Sequence, residues 1–156
     1  RQLERSTSSH NTITIGDYNQ TEVWGGFRVG KRAGIISLIE SDNEFSSSHD
    51  GYKNIGIIHN RKFITNKDSI NIFDELNKQQ IYEKIAHFHF HPLVNDIIIR
   101  KKSVFFKSLN IEISFKGKNI SLKKELYKYA CSFNKTENAV KLKVVFESDL
   151  ETIIKL

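Results

Sequence analysis

Polar and apolar residues alternate along most of this chain, in short β-branched and aromatic runs broken by turn residues. Thr12-Ile13-Thr14-Ile15 sets both isoleucines on one side of an extended backbone, and Gly16-Asp17-Tyr18-Asn19 follows with residues suited to reversing it. The same period of two predicts strands over residues 33–40, 44–50, 54–65, 69–76, 84–91, 96–100, 103–107, 111–116 and 140–147. Residues 122–133 fit two periods. Leu122, Leu126, Tyr129 and Ala130 make a helical stripe, whereas Tyr127, Tyr129, Cys131 and Phe133 make one apolar strand face, which favours a strand for the second half. Together these runs predict an all-β chain, an antiparallel β-sandwich or stacked-sheet domain, occupying residues 1–156 as one unit.

Composition refines this without redirecting it. The 156 residues, 38% hydrophobic and 27% charged, suffice for one domain with a real core. No apolar run approaches the roughly 20 residues of a membrane helix. No linker-like tract or internal repeat divides the chain. A formal charge of +6 favours anionic partners in general, among them uronic-acid polymers, nucleic acid and lipid headgroups. Nucleic acid has nothing beyond that charge to support it, because no recognition helix, zinc-finger spacing or aromatic RNA-binding pattern is present. The single cysteine, Cys131, excludes an internal disulfide framework and reads as a small buried hydrophobe. The chain starts at Arg1 and contains no Met, which suggests a fragment of a longer protein.

Three groups of residues invite a chemical reading. In His87-Phe88-His89-Phe90-His91, alternation puts three imidazoles on one face and two phenylalanines on the other. No acidic or thiol residue stands nearby to complete a metal site, so a half-buried strand with a polar outer row is the stronger reading. Ser46, His49 and Asp50 hold the residue types of a hydrolase triad, but adjacent His49 and Asp50 point to opposite faces of a strand and no Gly-x-Ser-x-Gly elbow is present. Trp24, Phe27, Arg28 and Arg32 combine aromatic surface with guanidinium groups, a pairing suited to stacking on sugars and gripping carboxylates. The competing reading makes Trp24 and Phe27 core anchors, with the arginines solvated or paired to Glu22 and Glu40.

The segment RSTSSHNTITI, followed by DYNQTEVWGGFRVGKRA, resembles the heparinase II/III-like polysaccharide lyases. SSHDGYKNIGIIHNRKFI and AHFHFHP are similar to later strands of that family's C-terminal β-domain, so the likeness spans most of residues 1–130 and weakens beyond. The resemblance implies a bacterial parent protein in which an N-terminal α/α toroid supplies the catalytic residues and this β-domain walls the cleft. The reaction implied is β-elimination on a uronic-acid-containing polysaccharide, with a periplasmic or cell-envelope location. It also implies a zinc ion held by a His-x-His element, an Asp and the His of His-Asn-Thr. Only the last of these matches, at His10. The remaining ligands and all catalytic residues would precede Arg1, leaving the fragment itself inactive. Trp24, Arg28 and Arg32 are then candidates for a substrate-binding rim. A rival reading from a different class is a complete, non-catalytic module that binds acidic glycans.

Overall fold

The computed structural model describes residues 3–79 and 81–156. The first half builds β1 (Ile13–Ile15), β2 (Val23–Trp24), β3 (Arg28–Val29), β4 (Ile35–Glu40), β5 (Glu44–Tyr52), β6 (Ile57–Asn66) and β7 (Ser69–Leu76). The second half builds β8 (Lys84–His89), β9 (Ile97–Ile99), β10 (Ser103–Phe106), β11 (Ile111–Gly117), β12 (Ser121–Ser132), β13 (Lys135–Phe146) and β14 (Leu150–Lys155). The only helical pieces among the described residues are single 3-10 turns at Leu3–Arg5, Thr7–Ser9 and Lys53–Ile55.

Two antiparallel sheets form a sandwich. The smaller has the order β1-β8-β13-β12 and the larger β4-β5-β6-β7-β14-β11-β10-β9, while β2 and β3 make a separate hairpin. Ile13, Ile15, Ala86, Leu142 and Val144 face inward from the small sheet, against Tyr52, Ile57, Val104, Phe106, Phe115 and Leu150 of the large one, in one buried cluster. Asn134, with φ of 54°, sits in the two-residue turn between β12 and β13, where an asparagine tolerates the left-handed backbone that such hairpins need.

The period of two therefore locates the fold, with instructive departures. All of Ser121–Ser132 is strand, so the helical alternative for its first half is excluded. Its expected apolar face dissolves toward the tip: Tyr127 and Tyr129 are half-buried, but Cys131 is exposed and Phe133 is 92% exposed. Strand pairing sets Leu126 beside Val140 on the core side, so Tyr127 and Tyr129 lie on the outer face with His89, away from the core, and the reading of Cys131 as a buried hydrophobe is corrected. Residues 53–55 form a helical turn closed by Gly56, so β6 starts at Ile57 and not at residue 54.

β14 lay outside the predicted strands. It is central to the large sheet, but Thr152, fully buried at an inward position, interrupts the apolar alternation that would have marked it. At the opposite extreme, all six residues of β4 are exposed. It is the edge of the large sheet, with Ile35 74% and Ile39 60% open to solvent.

Candidate functional site

The segment before β1 is held in place bond by bond. Thr7 is buried; its backbone N–H donates to the Asn19 side chain at 2.8 Å and its hydroxyl accepts the Gln20 N–H at 2.8 Å. The His10 N–H returns to the Thr7 carbonyl, and the His10 carbonyl accepts the Thr12 N–H at 2.9 Å. The Thr12 carbonyl then accepts the His87 N–H, which starts the pairing of β1 with β8. His10 itself is exposed at the end of this scaffold.

Asn11 joins the scaffold to both sheets. Its side-chain oxygen accepts the His89 backbone N–H at 2.8 Å and lies 3.1 Å from His89 Nδ1. Its backbone carbonyl accepts Nη1 of Arg61, on β6, at 2.5 Å. Arg61 is clamped in turn by Asp74 of β7, with Nε donating to Oδ1 at 2.7 Å and Nη2 to Oδ2 at 3.0 Å.

Asp74 is buried, yet its carboxyl is held below the usual range. Burial pushes it up, but the hydrogen bond from His59 and the charge of Arg61 outweigh this. His59 Nε2 lies 2.6 Å from Asp74 Oδ1, and His49 Nε2 lies 3.0 Å from His59 Nδ1. The Gly51 N–H donates to His49 Nδ1, so the His49 proton resides on Nε2 and the donors run in one direction from Gly51 to Asp74. Burial, and then the neighbouring His59, lower His49 to about 4.

Sequence reasoning passed over His59, Arg61 and Asp74. Strand pairing sets His49 opposite His59 and Arg61 opposite Asp74, and that register is invisible in a single strand. The signal that existed was His-x-Arg within β6, which places two polar side chains on the face shared by Ile57 and Phe63. Asp50 faces away from its neighbour's ring, donating nothing to it, and instead accepts the Gly34 N–H and the Lys53 ammonium, so the hydrolase-like trio does not assemble.

On the outer face of the small sheet, His87 and His89 stack with centroids 6.3 Å apart, and Tyr127 meets the His89 ring edge-on at 4.9 Å. The expected polar outer row is thus only partly solvated, because His87 is buried while His91 is exposed. Burial followed by the charge of Lys141 lowers both His87 and His89 to about 4. His87 Nε2 meets the Thr14 hydroxyl at 2.9 Å, but its Nδ1 is buried without a hydrogen-bond partner. Beside this row opens a groove of about 470 Å³, lined by Leu3, His89, Leu126, Tyr127, Lys128 and Lys141 among others. Glu125 pairs with Lys123 and Lys143 at 3.0 and 2.9 Å, and the Lys143 hydrogen bond first, then Lys123, brings it to about 2.

Trp24 and Arg28 face one another across the β2–β3 hairpin, and Arg32 follows it. All three are exposed, and Phe27 is 75% exposed, so neither aromatic residue anchors the core. Arg5 ties this hairpin to the scaffold by donating to the carbonyls of Gly26 and Arg28 at 2.7 and 3.1 Å. Among the described residues no three His, Cys, Asp or Glu side chains gather in a way that could hold a metal ion. His10 alone offers one donor, fewer than the three or four protein ligands of a zinc site.

The fold and site define a two-sheet antiparallel β-sandwich domain that carries its His-Asn-Thr element on a loop bonded to both sheets. The chain belongs to the family described as heparinase II/III-like, C-terminal, which matches residues 1–154 and so extends past residue 130, where the sequence likeness had faded. Among solved structures it is similar to a heparinase III gene product with methylated lysines, at 18% identity and a TM-score of 0.76, covering 99% of this chain and 24% of that one. It is also similar to the heparan sulfate lyase HepC from Pedobacter heparinus, at 16% identity and a TM-score of 0.77, covering 99% of this chain and 25% of that one. The chain thus spans about a quarter of the length of these structures. A search of curated proteins finds no match.

Proposed function

We propose that this chain is the C-terminal β-domain of a bacterial polysaccharide lyase that cleaves uronic-acid-containing polymers by β-elimination. The observation that carries the reading is the family match over residues 1–154, together with the groove at His89, which Ser9 lines one residue before His10. In the parent, a base on an N-terminal α/α toroid removes the proton next to the uronate carboxylate, and the glycosidic oxygen departs. The β-domain contributes one wall. Lys128 and Lys141 in the groove give that wall positive charge, which suits a polyanionic chain. Trp24, Arg28 and Arg32 form a second, outlying rim that stacks on sugar rings and pairs with their carboxylates.

His10 is one ligand of a structural zinc ion whose other ligands come from the preceding part of the parent. A zinc ion there would fix the loop against the rest of the cleft. The substrate places the enzyme in the periplasm or cell envelope.

The test is ultraviolet absorbance of unsaturated uronate. The intact protein should generate it from an acidic polysaccharide such as heparan sulfate or alginate, while residues 1–156 alone should generate none. Turnover by the 156-residue chain alone would place the active site within it and overturn the assignment.

A further inference from the structure

We propose that His89 is a recognition residue of the groove, where its Nε2 accepts a hydrogen bond from a free hydroxyl of the bound sugar chain. This role rests on the groove being a wall for polysaccharide, and it names the group of the sugar that the wall reads. The tautomer of the ring is set by Asn11. The Asn11 side-chain atom that receives the His89 backbone N–H at 2.8 Å must be the amide oxygen, because a backbone N–H only donates. The same oxygen lies 3.1 Å from His89 Nδ1 and can only accept there, so Nδ1 bears the ring proton. Nε2 keeps its lone pair and has no hydrogen-bond partner among the described residues. Burial, and then the Lys141 ammonium on the neighbouring strand, oppose a second proton on the ring near neutral pH.

The rest of the groove divides the labour. Tyr127 meets the His89 ring edge-on at 4.9 Å, and its own hydroxyl donates to the Phe90 carbonyl at 2.7 Å, so it offers carbon surface to a pyranose and no competing donor to Nε2. Lys128 and Lys141 supply cations for the carboxylates. A lone pair at His89 selects the opposite chemistry. It favours an O–H and repels an oxygen with no proton to give, such as that of a sulfate ester.

The experiment measures binding to the intact protein by isothermal titration, with heparan sulfate, alginate and the fully O-sulfated form of each, in which the hydroxyl donors are masked. His89→Phe keeps a ring and removes the acceptor. It should bind the unmasked polymer about tenfold more weakly than the unaltered protein, and the O-sulfated form equally well. His89→Gln restores an acceptor oxygen and should recover most of that loss. Asn11→Ala leaves the imidazole in place but frees its proton to move to Nε2, and should narrow the same difference between the two forms. The comparison is made within each variant, so partial loss of folding weakens both forms alike and leaves their ratio unchanged. Salt should weaken binding as steeply in His89→Phe as in the unaltered protein, and less steeply in Lys141→Gln, because only the lysine brings charge. Equal binding of the unmasked polymer by His89→Phe and the unaltered protein overturns the subsite, as does a deficit of the same size on the O-sulfated form. An intact protein that retains neither polymer overturns it too. The lyase reading is judged separately: no unsaturated uronate, with this binding pattern present, removes that reading and leaves the subsite standing.

Discussion

The two histidine clusters of this sandwich share a residue type and differ in closure. In the large sheet, His49 and His59 run in series from the Gly51 N–H to Asp74, and each ring nitrogen has a partner. On the small sheet, His87 is equally buried, yet one nitrogen faces no partner, and His89 lies beside an open groove. Low dielectric strengthens a complete polar network and penalises an incomplete one. The closed cluster is built to hold a geometry. The open one keeps one buried imidazole nitrogen without a partner next to the residue that lines the groove.

The sharpest way to break this contrast is to remove the anion of the closed cluster. Asp74→Ala leaves Arg61 and His59 without their shared partner, and should cost about 3–5 kcal/mol of stability in denaturant unfolding. His59→Leu should cost about 1–3 kcal/mol, because it strands the His49 Nε2–H and leaves the buried Asp74 carboxylate to Arg61 alone. A loss below about 1 kcal/mol for Asp74→Ala would show that the closed circuit is not the anchor described here.

Acid separates the clusters by a different route. His49 and His87 have folded values of about 4 against 6.5 unfolded, so below pH 6.5 the unfolded chain binds protons that the folded one refuses. Stability should be flat above pH 6.5 and fall progressively toward pH 4. Thermal unfolding at half-unit intervals checks this, and repeating it in His87→Leu should remove the His87 share while leaving that of His89. Stability constant from pH 7 to pH 4 would contradict the burial of both rings. The smallest effect is expected from His87→Leu at neutral pH, under about 1 kcal/mol, since replacing a half-satisfied buried imidazole with an apolar group loses little.

How far sequence reached follows from which interactions are periodic. Ile13 and Ile15, Val104 and Phe106, and Ile113 and Phe115 each announce an inward face through spacing two residues apart, and all six are buried. β2 and β3 are two residues each, too short to carry a period. The resemblance at His-Asn-Thr located the loop, and His10 lies exposed on it. Its neighbours across the strands could not be read, because Arg61 lies 50 residues from Asn11, and His89 lies 78 residues from it. A hydrogen bond between such distant positions depends on the order of strands in two sheets, which local pattern does not encode. Cys131 and Phe133 failed for a related reason: alternation says which residues share a side of a strand, but not which side meets the core.

The outermost ribbon of the large sheet has a practical consequence. Ile35, Ile36, Leu38 and Ile39 are all wetted, and one row of backbone donors and acceptors on β4 has no neighbour among the described residues. Such a seam favours strand pairing between copies, so the isolated polypeptide should associate more as its concentration rises, and Leu38→Lys should reduce that association in light scattering.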